Sequence, residues 1–437
     1  MTVEVVSLGC RMNLSESEAL RAMLAGSDDL VVVNSCAVTA EAVRQTRQAI
    51  RRARKARPDA RLLVTGCAAE VERAGLAAMP EVDGLVSNLN KLDPRAYCPS
   101  PSGVSGWTAP GSPSSVRGTE RPETGLGWGL SGTGDVALKR QAPPPSPPLK
   151  GRGEEGHTRA FIAVQNGCDH DCTFCIIPKG RGPSRSHAIC DVLADIARHC
   201  DAGVREVVLT GVDLTSWGAD LPGNPRLGAL VAAILASFPA LPRLRLSSLD
   251  GIEIDAQLFE LLASEPRVMP HLHLSLQSGD DLILKRMKRR HSRRDAVELV
   301  AALREQRPDL AVGADIIAGF PTEDETAHRQ NLSIIHELGV VHGHIFPYSA
   351  RPGTPAARMP QVDPLTIKYR AAQLRSAVAE QRQGWLNGLI GTPQQILAER
   401  DGTGHAPNFA RVQLPEGTPA GTLVTFAPTR VIEGLLA

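Results

Sequence analysis

Apolar runs of strand length alternate with helix-period segments from the start of the chain. Val3–Leu8, Leu30–Asn34 and Leu62–Thr65 are such runs. Helical patterns follow near Ser15–Leu24, Thr39–Ala56 and Ala68–Ala78. This is the rhythm of a parallel sheet with crossover helices. The rhythm stops over 99–156, a stretch rich in Pro, Gly, Ser and Thr that ends in Pro143-Pro-Pro-Ser-Pro-Pro148. Such text cannot bury enough apolar surface to offset its ordering entropy, and it is expected to be a disordered linker.

The pattern returns at Ala160–Val164. Strand-like runs recur at Glu206–Thr210, Arg243–Ser247, Leu272–Leu276, Val312–Ile317 and Gly343–Phe346. Helical patterns lie between them at Ala188–His199, Leu227–Phe238, Ala256–Ala263, Arg293–Glu305 and Glu325–Leu338. Six such units predict a (β/α)6 partial barrel. A long helical stretch, Pro364–Leu389, follows. Short strands with Gly and Pro turns then close the chain, at Gln395–Glu399, Ala410–Gln413, Thr422–Phe426 and Arg430–Gly434. These predict a small antiparallel β-barrel. The fold class is thus α/β, with expected units at 1–98, 157–390 and 391–437.

Composition narrows the chemistry. No stretch is long and apolar enough to span a bilayer, and a charged-then-apolar signal pattern is lacking, so the cytoplasm is expected. Nine cysteines in a reducing compartment read better as metal ligands than as disulfides. The net charge of +1 confines any nucleic-acid surface to a local patch.

Three cysteines stand in Asn166-Gly-Cys-Asp-His-Asp-Cys-Thr-Phe-Cys175, with spacing Cys-x3-Cys-x2-Cys. Cys168, Cys172 and Cys175 can hold three irons of a [4Fe–4S] cluster and leave the fourth open. An open iron can be chelated by the amino and carboxylate groups of S-adenosylmethionine (SAM), whose reductive cleavage yields a carbon radical. Zinc or inert thiols are the alternatives. Zinc knuckles use paired Cys-x2-Cys units, and no second pair follows. Cys10, Cys36 and Cys67 each end a predicted strand. Strand ends on one edge of an open α/β sheet converge, so these three could bind a second cluster. Taken singly, each is equally a small core residue.

Together the two trios resemble the radical-SAM methylthiotransferase family. The matching text is Ser7-Leu-Gly-Cys-Arg-Met-Asn-Leu-Ser-Glu-Ser-Glu18, Val33-Asn-Ser-Cys-Ala-Val-Thr39, Val64-Thr-Gly-Cys67, and the Cys168 loop with its Phe174 through Ile176-Ile-Pro-Lys-Gly-Arg-Gly182. His271-Leu-His-Leu-Ser-Leu-Gln-Ser-Gly279 and Asp315-Ile-Ile-Ala-Gly-Phe-Pro321 add to it. Asp250-Gly251 departs from it, since Glu-Pro is common there.

The resemblance implies replacement of a C–H bond by C–S–CH3, two [4Fe–4S] clusters, SAM, an RNA-binding TRAM domain at the C-terminus and a reducing electron-donor protein. A monomer is expected. Phe174, Gly211, Asp213, Ser248, Gln277 and Asp315 are the candidate SAM-site residues, each equally readable as a barrel-lining or capping residue.

For RNA, Arg44, Arg47, Arg51 and Arg54 share one face of a helix, and Lys285–Arg290 with Arg293 and Arg294 forms a second basic run. Either could instead be a solvated charged face. Phe409, Phe426 and Tyr348 are candidate stacking platforms.

Three substrates compete: threonylcarbamoyl-adenosine 37 of tRNA, isopentenyl-adenosine 37, and an aspartate of a ribosomal protein. The runs His157-Thr-Arg-Ala-Phe161, Gly211-Val-Asp-Leu-Thr-Ser-Trp-Gly218 and Gly404-His-Ala-Pro-Asn-Phe-Ala410 resemble the threonylcarbamoyl-adenosine subgroup. A non-catalytic iron–sulfur RNA-binding protein is the alternative from another class.

Overall fold

A computed structural model describes residues 3–27, 29–97 and 158–437. The expected linker at 99–156 lies outside the described residues.

The N-terminal unit runs β1 (Val3–Ser7), α1 (Arg11–Met23), β2 (Leu30–Ser35), α2 (Ala40–Ala56), β3 (Arg61–Gly66), α3 (Cys67–Val71), α4 (Arg73–Ala77) and β4 (Gly84–Leu85). The strands form one parallel sheet in the order β1-β2-β3-β4. Every residue of β2 is buried, as a central parallel strand covered on both faces requires. The Thr39 side chain caps α2 by accepting from the Ala42 N–H. The helix expected over Ala68–Ala78 is broken at Glu72, whose ψ of 27° leaves the helical range, into α3 and α4.

The second unit opens with β5 (Ala160–Ala163), β6 (Gln165–Asn166), α5 (Ile177–Arg181) and β7 (Arg185–Ser186). It continues with α6 (Ile189–Asp201), β8 (Glu206–Thr210), α7 (Leu227–Ser237), β9 (Arg243–Leu246) and α8 (Ala256–Ser264). Next come β10 (His271–Gln277), α9 (Asp281–Arg286), α10 (Arg293–Gln306), β11 (Ala311–Ala318), α11 (Glu325–Glu337) and β12 (Val340–Pro347). Parallel sheets β5-β8-β9 and β10-β11-β12 join through bridges at Leu244–Val268 and Leu249–Leu274. The six strands make the split barrel that the pattern predicts.

Alternation along β10 and β12 sorts their side chains. Leu272, Leu274 and Leu276 join the core under the helices, while His271 and His273 of β10 meet His342 and His344 of β12. Barrel interiors are ordinarily filled with branched apolar residues. This one is lined with imidazoles. Helix α1 of the N-terminal unit lies along β5, at the open side of the barrel.

Helix α12 (Pro364–Gly388) leads to β13 (Gln394–Ala398), β14 (Thr403–His405), β15 (Arg411–Gln413), β16 (Leu423–Phe426), β17 (Val431–Ile432) and β18 (Leu435–Leu436). Their order is β16-β13-β14-β15-β18-β17. This terminal sheet docks on the barrel: Arg243 and Arg245 donate to the carbonyls of His405 and Pro407, both at 3.0 Å.

Candidate active site

The parallel register sets Ser7 opposite Asn34 and Asn34 opposite Thr65, so β1, β2 and β3 end level. Cys10, Cys36 and Cys67 follow those ends. Asn13 ties them together, donating to the carbonyls of Leu8 at 2.6 Å and Ser35 at 3.0 Å. Gly9 has φ +98°, and a Cβ there would stand 2.9 Å from the Cys36 Sγ. Burial pushes the Cys36 thiol up to about 11, and neighbouring Cys10 and Cys67 push the same way. Thiols that oppose one another's ionisation in one crevice form a donor set that metal cations complete.

The second trio lies on the loop from β6 to α5. The loop is anchored on both sides: Cys168 N–H donates to the Gly182 carbonyl at 3.2 Å, and Thr173 Oγ1 to the Arg286 carbonyl at 2.8 Å. Burial first, then Asp213, raises the Cys168 thiol to about 12. Burial raises Cys175 to about 11, with Cys172 and, more weakly, Cys67 of the other trio adding to it. Phe174 meets the Phe320 ring edge-on at 6.3 Å.

The two trios sit back to back across one contact. A Cβ on Gly180 would stand 3.2 Å from the Cys67 Cβ, so glycine lets α5 lie close to α3 without crowding that thiol. Asn88 donates to the Gly180 carbonyl at 2.6 Å. The next residue, Arg181, is 3% exposed and crosses into the N-terminal unit. Its guanidinium grips the Glu16 carboxylate at 2.8 and 3.1 Å and donates to Asn166 at 2.8 Å. Lys91 pairs with Glu16 from the other side. Burial alone would raise the Glu16 carboxyl, but Arg181 and Lys91 outweigh it and hold its pKa at about 2. Neither Arg181 nor Glu16 stood out in the sequence beyond family text.

The expected SAM-site residues divide. Asp213 follows β8, but its carboxylate already accepts from Ser216 at 2.7 Å and lies 2.8 Å from His170 Nε2. Asp213, then Glu253, raises the His170 imidazole to about 10, so it stands beside the trio as a cation. A side chain on Gly211 would meet Gln165 Oε1 at 3.0 Å, and that same oxygen accepts from the Asp213 N–H at 2.9 Å. Gln277 takes φ +66° after a bulge in β10, and Ser248 is half-buried near the end of β9. Asp315 sits in the barrel interior with His273 Nε2 and His344 Nδ1 each 3.0 Å from one carboxylate oxygen. Burial would raise that carboxyl; the two imidazoles drive it well below the usual range.

The Radical SAM superfamily profile matches residues 162–330, and that of Uncharacterized protein family UPF0004 matches residues 2–87. A "Threonylcarbamoyladenosine tRNA methylthiotransferase MtaB" from Rickettsia prowazekii is 41% identical over 435 residues, 99% of this chain and 96% of the relative. The chain belongs to the radical-SAM methylthiotransferase family. A "tRNA-2-methylthio-N(6)-dimethylallyladenosine synthase" from Cereibacter sphaeroides is 32% identical, covering 91% of this chain and 87% of the relative. Among solved structures, the radical S-adenosylmethionine methyltransferase TsrM from Kitasatospora setae aligns with a TM-score of 0.51. It is 15% identical over 79% of this chain and 66% of that one, a likeness of fold alone.

This methylthiotransferase is therefore an enzyme of SAM and [4Fe–4S] clusters, and its two thiol trios are donor sets of the matching kind. No helix among the described residues is long and apolar enough to cross a membrane.

Several residues expected to meet RNA are committed elsewhere. Arg54 folds back, pairing with Asp83 and donating to the carbonyls of Glu81, Pro58 and Ala60. Arg47 packs its guanidinium against Gly75 of α4. Arg44 and Arg51 stay exposed beside Glu41 and Glu81. Phe409 is no free platform: His405 stacks on it at 4.6 Å and the Arg245 guanidinium lies 4.8 Å from its centroid. It plugs the barrel floor, stabilised by cation–π contact. Tyr348 packs against Phe320, and Phe426 packs on the core of the terminal sheet. Part of the second basic run is spent near the Cys168 loop, where Arg289 pairs with Asp250 at 2.9 Å and Arg290 with Glu253 at 2.8 Å, while Arg293 pairs with Glu337 and Arg294 with Glu298.

Proposed function

We propose that the chain is a tRNA methylthiotransferase that places a methylthio group on C2 of N6-threonylcarbamoyladenosine at position 37. Its organisation would be an N-terminal methylthiotransferase unit (1–98), a radical-SAM barrel (157–390) and a TRAM-like unit (391–437). The observation that carries the reading is the meeting of the two thiol trios across Gly180 and Cys67. A C–H bond without useful acidity has to be opened by hydrogen-atom abstraction, and the sulfur has to arrive at the same carbon. Two redox centres held side by side would meet both needs. The Rickettsia prowazekii relative's name supports the substrate.

Cys168, Cys172 and Cys175 would hold the cluster that, with SAM, supplies the abstraction, and Cys10, Cys36 and Cys67 the one that supplies sulfur transfer. The remaining side chains bind and orient. His170 is held charged by Asp213 and Glu253 beside the first trio. Arg289 reaches Cys172 Sγ at 3.6 Å while anchored on Asp250, placing positive charge beside thiolate. Arg181 locks the loop after Cys175 to α1, which fixes the spacing of the trios. The imidazole-lined barrel interior would present polar groups to a flipped base.

The test uses reconstituted enzyme, reductant, SAM and tRNA bearing either threonylcarbamoyl- or dimethylallyl-adenosine at position 37, with nucleoside mass spectrometry. Methylthiolation of the former alone is expected. Cys168→Ala should abolish SAM cleavage, whereas Cys36→Ala should keep cleavage and lose the methylthio product. Product from Cys36→Ala would sink the second-trio assignment, and turnover of only the dimethylallyl substrate would overturn the substrate.

A further inference from the structure

Four arginines converge on the floor of the barrel: Arg11, Arg159, Arg243 and Arg245. Three are spoken for. Arg245 grips fully buried Glu206 at 2.9 Å and donates to the Pro407 carbonyl. Arg243 shares Glu206 at 3.4 Å and donates to the His405 carbonyl. Arg159 pairs with Glu399 at 2.8 Å.

Arg11 is different. It is the first residue of α1, immediately after Cys10, and it sends its guanidinium into the barrel, 5.6 Å from the Phe409 centroid. Among the described residues it has no hydrogen bond or ion pair. The nearby carboxylates are already taken, Glu206 by three arginines and Asp315 by two histidines. A guanidinium stays charged at neutral pH in any protein setting. A half-buried cation without a counterion is under-solvated, and an anionic ligand would pair it.

A second group points to the same ligand. His271 is 4% exposed, and neither ring nitrogen has a partner. Its ring lies 5.0 Å from that of Phe409. Burial above all, with the Arg245 and Arg11 guanidiniums adding to it, keeps it neutral, so one nitrogen carries a proton to donate. An unsatisfied buried imidazole and an unpaired guanidinium, both set against the Phe409 ring, make a two-donor receptor for an oxyanion.

We propose that Arg11, assisted by His271, receives the carboxylate of the threonylcarbamoyl side chain and so selects a base whose N6 substituent is negatively charged. The proposal rests on the substrate reading above. C2 and C6 of adenine flank N1, so a group on N6 projects along the same edge as C2. If C2 faces the trio that includes Cys10, the residue next to Cys10 is placed to meet that group. A neutral dimethylallyl group would leave both donors unpaired, which is how a polar site rejects an apolar analogue.

The experiment measures Kd of anticodon stem-loops on enzyme loaded with both clusters. Three RNAs are compared: one with the threonylcarbamoyl group, one with its carboxylate converted to the primary amide, and one with dimethylallyl-adenosine. Wild type should bind the acid roughly 10- to 100-fold more tightly than the amide, the range for a charge-assisted hydrogen bond. Arg11→Gln, with iron content unchanged, should bind acid and amide alike. Arg11→Met, which keeps the aliphatic stem over Phe409, is the second variant and is judged by the same criterion. Acid preference retained by either iron-loaded variant would overturn the role of Arg11 and leave the substrate reading standing. A wild type that does not separate acid from amide would likewise overturn the receptor. A wild type that prefers the dimethylallyl RNA would overturn the substrate reading and the receptor with it.

Discussion

Replacing Glu16 by Gln removes the carboxylate that lies between buried Arg181 and buried Lys91. The wild-type carboxylate is 5% exposed, takes both guanidinium nitrogens of Arg181 and pairs with Lys91. Its pKa falls from the ordinary 4.5 to about 2, a preference for the charged form of about 3 kcal/mol. The amide keeps the shape but leaves the buried Arg181 guanidinium without its anion, a situation that costs about 3–5 kcal/mol, while Lys91, whose pKa burial already lowers, can release its proton. The expected loss is therefore about 3 kcal/mol, read from urea unfolding by pulse proteolysis at pH 7. The group is depressed in the folded state, so its contribution is complete above the ordinary carboxyl range. It fades as pH falls from 4.5 toward 2. The gap between wild type and Glu16→Gln should accordingly be flat from neutrality to about pH 5 and narrow below it. Glu16→Gln combined with Arg181→Met should cost less than the sum of the two. Because the pair joins α1 to the loop after Cys175, methylthiolated product should fall further than SAM cleavage does. A variant within about 0.5 kcal/mol of wild type at pH 7, or a gap that does not change with acid, would refute the reasoning.

Two further substitutions read other parts of the site. Gly9→Ala forces a side chain into φ +98° and within 2.9 Å of the Cys36 Sγ; a penalty of about 1–3 kcal/mol should fall on the N-terminal trio. About half the iron should be lost while SAM cleavage persists, and full iron loading would refute this. On the RNA side, Arg44→Gln with Arg51→Gln should lower the salt dependence of tRNA binding by about one unit of slope per lost contact. Arg54→Gln should instead destabilise the fold by about 1–3 kcal/mol, since it strips donors from Asp83 and the Glu81 and Ala60 carbonyls. Unchanged salt slopes in the double variant would take this helix off the RNA surface.

Much of the architecture is local and therefore legible. Continuous apolar runs and 3.6-residue periods mark the six barrel strands and their helices, because each element must bury one face whatever its neighbours are. The Cys168 loop is equally local, with three thiols carried within eight residues. The placement of Cys10, Cys36 and Cys67 at strand ends follows from parallel pairing alone. What no period reveals is contact between distant segments. The approach of Gly180 to Cys67, the Arg181–Glu16 pair and the entry of Arg11 into the barrel each depend on how two units dock. The basic face of α2 shows the same limit: spacing places Arg44, Arg51 and Arg54 together, but only the fold bends Arg54 back onto carbonyls left open at Pro58 and Ala60. Phe409 read as a candidate stacking platform of the terminal β-unit, and docking set it against the imidazoles of the barrel. Periodicity reports which face of an element avoids water, whereas the partner a buried polar group finds is settled by desolvation among residues far apart in the chain.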